Sequence, residues 1–367
     1  MNRNAHENLH FSSEPKRRNW IGWVLLALVP LIVLVISVQP APYVISMPGP
    51  VYNTLGIVEI NGVSSPMIAI SDAETYPVDG QLNLLTVSQY GNPDRLPSWA
   101  QVLAAWFDSS QTITPLDVAY PPGITTEDIR EQNHISMQNS QQEAIAAALK
   151  LLGYPVSGKY SVHSVLDSSH SFGLIEPGDV LLAINGSPIT SVDDLRAFLA
   201  TNGTSTAVTL TVVRDGTERD VHITPTLVDG RAALGVFLMA EYTFPIHVQI
   251  ELKNVGGSSA GMMFALGIID KLTPGSLTNG INIAGTGTIT ADGTVGPIGG
   301  EPQKVVAASR AGAKWFLMSG VDCPDLPAKT PEGMTIIPVD NLEQAYEAVQ
   351  KIAAGAVPAD FASCSAR

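Results

Sequence analysis

Two residues in this sequence have the type and surroundings for covalent chemistry, Ser259 and Lys304. The stretch around the serine reads N-V-G-G-S-S-A-G-M-M-F-A-L-G-I-I-D-K-L, residues 254–272. Gly256 and Gly257 permit a tight turn with backbone angles closed to other residues. From Ala260 to Leu272 the residues are apolar all round, the pattern of a buried helix. Ser259 is therefore expected at the N-cap or in the first turn. There the backbone N–H groups of Ser259 and Ala260, at the positive end of the helix dipole, would face an oxyanion formed when Oγ attacks a carbonyl. A serine at a helix start also serves simply as a cap, and the serine alone does not separate the two roles.

Lys304 supplies the partner that such a serine needs. After Pro297-Ile298-Gly299-Gly300, the run E-P-Q-K-V-V-A-A-S-R-A-G-A reads as a helix with Pro302 in its first turn and Gly312 near its end. Among Val305, Val306, Ala307 and Ala308, a lysine loses solvation of its charged form. Its pKa falls, and it becomes able to take a proton from serine. A solvated surface lysine would show the same spacing, so periodicity leaves both readings open.

These blocks resemble the proteolytic domain of Lon-type serine proteases. Gly257-Ser258-Ser259-Ala260-Gly261 matches that family's G-P-S-A-G, with serine where the family has proline. Pro297 to Lys304 matches P-I-G-G-x-x-x-K, and Thr286-Gly287-Thr288-Ile289-Thr290 matches T-G-x-I-T. The resemblance implies a Ser259–Lys304 dyad with Thr286 hydrogen-bonded to the lysine amine. It also implies assembly into a homo-oligomer, commonly a hexameric ring, and protein or peptide substrates. Many family members carry an acidic residue three places before the serine, where this chain has Gly256.

The elements that must position this pair follow from the rest of the chain. Residues 1–19 are polar and end in Lys16-Arg17-Arg18, and Trp20 to Val38 is an uncharged apolar run. At 1.5 Å per residue the run is long enough to span a bilayer, with Trp20 and Trp23 at the interface and the basic flank cytoplasmic. Its length and the lack of an A-x-A site favour an uncleaved anchor over a signal peptide. The bulk of the chain would then lie outside the cytoplasm, held to a cell membrane by a single pass. Residues 43–158 read as short strands with two amphipathic helices, Trp99 to Phe107 and Ser140 to Leu152. Their layout is similar to the membrane-proximal part of the PDZ-containing, membrane-anchored Lon-like proteases.

Residues 160–228 resemble a PDZ domain, with strands, turns at Asn185-Gly186 and Asp215-Gly216, and a capped helix from Ser191 to Leu199. The resemblance implies that an extended peptide adds to a sheet edge. It places the accepting loop at Ser171, Phe172, Gly173, Leu174 and Ile175. From Tyr242 on, strands and helices alternate, as in an α/β layered domain. The expected fold is thus multidomain, of α/β and α+β type: a cytoplasmic tail (1–19), a transmembrane helix (20–38), a membrane-proximal region (43–158), a PDZ-like β-rich domain (160–228), a Lon-type α/β domain (242–355) and a flexible tail (356–367).

Composition and motifs narrow the alternatives. With 20 basic and 34 acidic residues the net charge is −14, which argues against nucleic acid as a partner. The seven histidines show no H-E-x-x-H, and the two cysteines, Cys323 and Cys364, fit no metal-site spacing, so neither metal nor cofactor is expected. The cysteines pair or stay free according to compartment. Gly153 to Lys159 matches the start of a phosphate loop. Tyr160 stands where Ser or Thr would hold magnesium, and a helix rather than a strand precedes it, so the match is rejected. The expected activity is ATP-independent serine endopeptidase cleavage of extracytoplasmic or membrane-associated proteins. The rival is a non-catalytic adaptor that binds extended peptide tails, its Lon-like part serving assembly.

Overall fold

A computed structural model of the protein describes residues 17–364, apart from 61, 122–124, 229, 254 and 328; the side chains of 17–22, 25, 60 and 193 lie outside the description. The sheet that carries the dyad is assembled from distant parts of the chain. Its strands are β1 (Tyr43–Asn53), β3 (Gln81–Tyr90) and β4 (Thr112–Pro115) from the first third, with β11 (Asn282–Gly285), β12 (Trp315–Ser319) and β13 (Thr335–Val339) from the last. Their order is β13-β12-β11-β3-β1-β4. The junction between the two sets is parallel, with Asn282 to Gly285 beside Gln81 to Leu84. A second long-range pair joins β2 (Ile68–Ser71) to β10 (His247–Ile250). Residues 43–158 are therefore not a separate membrane-proximal unit, as expected from sequence, but half of the proteolytic body. A parallel neighbour some 200 residues away leaves no local trace, because only burial on both faces marks such strands.

The second sheet, β8-β7-β6-β5-β9, is an insertion between those halves. It comprises β5 (Ser157–Val165), β6 (Val180–Ile184), β7 (Val208–Arg214), β8 (Thr217–Ile223) and β9 (Val236–Thr243). The helix α4 (Val192–Asn202), N-capped by Ser191, packs with it. Both expected turns are present, with positive φ at Asn185, Gly186, Asp215 and Gly216. The unit runs past the expected limits of 160 and 228, because β9 pairs along the whole of β5, from Val236 opposite Val165 to Thr243 opposite Ser157. Gly158, part of the rejected phosphate-loop match, is glycine for another reason. A Cβ there would stand 2.1 Å from the Tyr242 ring.

Four more helices surround the dyad. The long α3 (Thr126–Leu151) opens with a capping box between Thr125 and Asp128. It is twice the length read from its apolar half. Its first turns are polar, and hydrophobic periodicity does not see them. It packs against α5 (Gly261–Leu272), whose Met262 to Leu266 are fully buried. The lysine helix α6 (Glu301–Arg310) lies against β1, and α7 (Leu342–Ala353) against α5.

The termini depart from expectation. Helix α1 (Arg17–Ser37) is apolar, and its described side chains, Trp23, Val24 and residues 26–36, are exposed on every side. Among the described residues no helix is long and apolar enough to cross a membrane, so the expected transmembrane helix is not supported there. The side chain of Trp20 and the tail up to Lys16 lie outside the described residues. Helix α2 (Trp99–Trp106) follows, capped by Ser98. At the other end, the tail expected to be flexible is ordered as far as residue 364. Cys364 forms a disulfide with Cys323, and Phe361 packs edge-on against Trp315.

Candidate active site

The nucleophile loop is built by exclusion. Gly257 has φ +89°, a turn that side-chain-bearing residues rarely adopt. A Cβ on Gly256 would lie 2.7 Å from the Asn133 Cβ. The position three residues before the serine thus has no room for a side chain unless Asn133 shifts. Ser259, expected at the N-cap or in the first turn, stands one residue before the N-cap. Ala260, which has no polar side chain, occupies the N-cap of α5, and the Ser259 hydroxyl one residue earlier is engaged elsewhere.

That engagement is with Lys304. Lys304 Nζ donates to Ser259 Oγ at 2.8 Å and to Thr286 Oγ1 at 3.1 Å. Thr286 Oγ1 donates in turn to the Ser259 carbonyl at 3.0 Å, and Gly287 N–H donates to the same oxygen at 2.9 Å. Hydroxyl, amine and backbone therefore form one closed set. Lys304 is only 3 % exposed, and burial pushes its amine down to about 8. Glu301 and Asp322 oppose that shift. Burial pushes both of those carboxyls up, Asp322 to about 6. With Asp325 they form a carboxylate cluster at the foot of α6, and Asp322 accepts from Ile298 N–H at 3.1 Å.

Among the described residues nothing accepts from the backbone N–H groups of Ser259 and Ala260. Both lie at the N-terminus of α5, where a developing negative charge is stabilised. In front of Ser259 lies a cleft of about 450 Å³, lined by Tyr52, Thr86, Val87, Ser88, Met137 and Lys304 among others. β3 pairs with β11 only as far as Leu84, so its outer half presents Thr86 to Ser88 to the cleft, and among the described residues no strand pairs with that edge. A buried amine beside a hydroxyl, free N–H donors and an open strand edge together define an acyl-transfer site of the serine–lysine class.

Comparison with known proteins agrees with this class. Residues 234–351 match the model of the Lon protease (S16) C-terminal proteolytic domain, and residues 170–214 match a PDZ domain. The Lon protease of Phenylobacterium zucineum is 36% identical over 128 residues, covering 33% of this chain and 16% of that protein. The Lon protease of Buchnera aphidicola is 36% identical over 102 residues, covering 27% of this chain and 13% of that protein. The chain thus spans about one-sixth or less of the length of these two relatives, and 28% of another, the Lon protease of Rickettsia conorii. A solved PDZ domain of the SdrC-like protein from Listeria monocytogenes is 18% identical over 22% of this chain and 85% of its own, with a TM-score of 0.21, and carries no weight here. The chain therefore carries a Lon-type proteolytic domain, a serine endopeptidase domain, together with a PDZ domain.

The main cavity of the PDZ unit does not include the loop expected to accept a peptide. A cavity of about 590 Å³ lies between α4 and β9, lined by Leu195 and Leu199 on one side and Leu234, Val236 and Leu238 on the other. None of residues 171–175 lines it. Ser171 is fully buried, donating to the Leu234 carbonyl, and Ile175 is core, while Phe172 and Leu174 face solvent. The small-residue loop and the A-A-L-G-V segment look alike in sequence, and only the strand order shows that β9 is the sheet edge. Sequence reasoning also missed α3 as a wall of the site. Asn133 O accepts from Gly257 N–H at 2.9 Å, and Ser140 Oγ donates to Ser258 O at 2.9 Å. The signal was available in T-T-E-D, a capping box at the start of α3.

Proposed function

We propose that the chain is a membrane-associated serine endopeptidase that works without ATP hydrolysis by these residues and selects protein substrates through its PDZ domain. The neutral Lys304 amine takes the Ser259 proton as Oγ attacks a peptide carbonyl, and Thr286 keeps that amine aimed. The N–H groups of Ser259 and Ala260 receive the oxyanion. One such donor is worth about 2.7–4 kcal/mol of barrier. Lys304, then an ammonium, returns the proton to the leaving amine, and water resolves the acyl-enzyme by the same route. An extended segment lying along the open edge of β3 would present its carbonyl to Ser259.

The observation that carries the reading is the 2.8 Å contact between a buried lysine amine and a serine hydroxyl. Placement outside the cytoplasm is supported by the Cys323–Cys364 bridge, since oxidising compartments keep such bonds. Membrane attachment is supported by α1, an apolar helix whose described side chains are exposed on all sides. Assembly into a ring follows from the family resemblance alone. The test is casein cleavage by the purified full chain in detergent, against Ser259→Ala. Turnover should fall by roughly 10⁴-fold or more with melting unchanged, as when a nucleophile is removed from a serine protease. Cleavage that survives the substitution would reject the dyad.

A further inference from the structure

The outer edge of β9 and the serine loop are held by one helix. Asn139 of α3 donates through Nδ2 to Leu238 O at 2.6 Å, and its Oδ1 accepts from Ala240 N–H at 2.8 Å. The carbonyl of one residue and the N–H two residues on are the groups that a neighbouring strand would take. A side-chain amide thus stands in for a strand at the sheet edge, next to the apolar groove between β9 and α4. Gln132, Ile135 and Ser136 of the same helix also line that groove. The adjacent face of α3 belongs to the catalytic side. Asn133 and Ser140 bond the Gly257 and Ser258 backbone, and Met137 lines the cleft before Ser259. Positions 133, 137 and 140 share one face, and 132, 135 and 139 the next, as 3.6 residues per turn require.

We infer that an extended polypeptide bound at β9 replaces Asn139 on Leu238 and Ala240, and that the release of α3 widens the cleft at Met137 and re-sets the loop of Gly257 and Ser258. Asn139 is thereby a positioning residue that couples PDZ occupancy to proteolysis. This rests on the peptide-selecting role of the PDZ domain proposed above. The ligand's chemistry follows from the groove: a strand-forming segment that bonds through its backbone and places apolar side chains against Leu195, Leu199 and Val236. The dyad is already in bonding distance at rest, so the coupling acts on substrate access and loop position rather than on the proton transfer.

Hydrogen exchange on the full-length Ser259→Ala chain in detergent separates the parts. The probe is reduced, carboxymethylated α-lactalbumin, an extended polypeptide. On adding it, amides flanking the groove on β9 should become protected, while Gly257 N–H should exchange at least threefold faster. Protection at β9 with Gly257 unchanged would overturn the coupling and leave peptide binding standing. No change at either place would remove the peptide-selecting reading and the coupling with it. In the Ser259-intact chain, Asn139→Ala should raise kcat/KM for a short fluorogenic peptide at least threefold. The same substitution should abolish the stimulation that the probe gives the wild type. An unchanged kcat/KM with stimulation retained would overturn the proposal.

Discussion

Two buried ionisable groups among the described residues meet hydroxyls, Lys304 against Ser259 and Thr286, and Glu143 against Tyr160 and Tyr242. Glu143 lies on α3, and Tyr160 and Tyr242 lie on β5 and β9. The Tyr160 hydroxyl donates to Glu143 Oε1 at 2.7 Å and stands 2.9 Å from the Tyr242 hydroxyl. Burial drives both centres toward neutrality, Lys304 downward and Glu143 upward. It also raises both phenols, so their protons stay in place. What separates the centres is the surroundings rather than the burial. Beside Ser259 there are free N–H donors and a cleft with an open strand edge. Around Glu143 the hydroxyls tie the proteolytic body to the PDZ sheet. A perturbed ionisable group marks a site only when something lies ready to receive the charge that its chemistry creates.

The largest break in that comparison comes from Lys304→Met. The substituent has similar length, no charge and no basicity. Casein cleavage should fall by roughly 10⁴-fold, the scale of a lost general base together with its nucleophile's activation. Melting temperature at pH 7 should stay within a few degrees of wild type, because a buried ammonium is itself costly. The pH dependence of stability sharpens this. Between about 8 and the ordinary lysine range the unfolded chain binds the proton that the folded chain has released. Wild-type stability therefore rises with pH across that window, and Lys304→Met lacks the rise. A methionine variant that unfolds at 37 °C would mean that Lys304 is held for structure.

A smaller effect is expected from pH alone. With the amine at about 8, kcat/KM for a short peptide should climb tenfold per pH unit below that value and level above it. Titrating initial rates from pH 5.5 to 9.5 checks this, with a melting curve at each pH to show that the fold persists. A flat profile would mean that the proton leaves by another route.

How much of this was legible in sequence depends on the range of the interaction. The contact between Ser259 and Lys304 was, because each half sits in a short block whose glycines and prolines fix it locally. At Gly300, for example, φ is +77° and a Cβ would meet Val87 at 2.6 Å. The division into domains was not. β3 finds β11 across almost 200 residues, so the PDZ unit, expected as one link in a series of domains, is an insertion between two halves of one body. Asn139 was equally silent, since a polar residue on a polar helical turn gives no hint that a strand edge lies opposite.

The smallest effect concerns Glu143→Gln. The amide keeps an acceptor for the Tyr160 hydroxyl, while the carboxylate it replaces has Oε2 buried with no well-formed hydrogen bond among the described residues. Folding raises the Glu143 pKa, chiefly through lost solvation, so the folded chain holds a proton that the unfolded chain has already released. That contribution is complete below the ordinary glutamate range and is lost as pH rises through the folded value. At pH 7 the glutamine variant should therefore melt at or slightly above wild type, by about 2–4 °C if about 1 kcal/mol is at stake. Toward pH 4 the two curves should converge, as Glu143 becomes the uncharged group that glutamine imitates. Calorimetry at pH 4, 5.5 and 7 measures this, and peptide cleavage at pH 8 should be unchanged, since nothing in the proton transfer passes through Glu143. A variant that lost activity while keeping its melting temperature would break the comparison, because the seam between the two domains would then be part of the catalytic machinery.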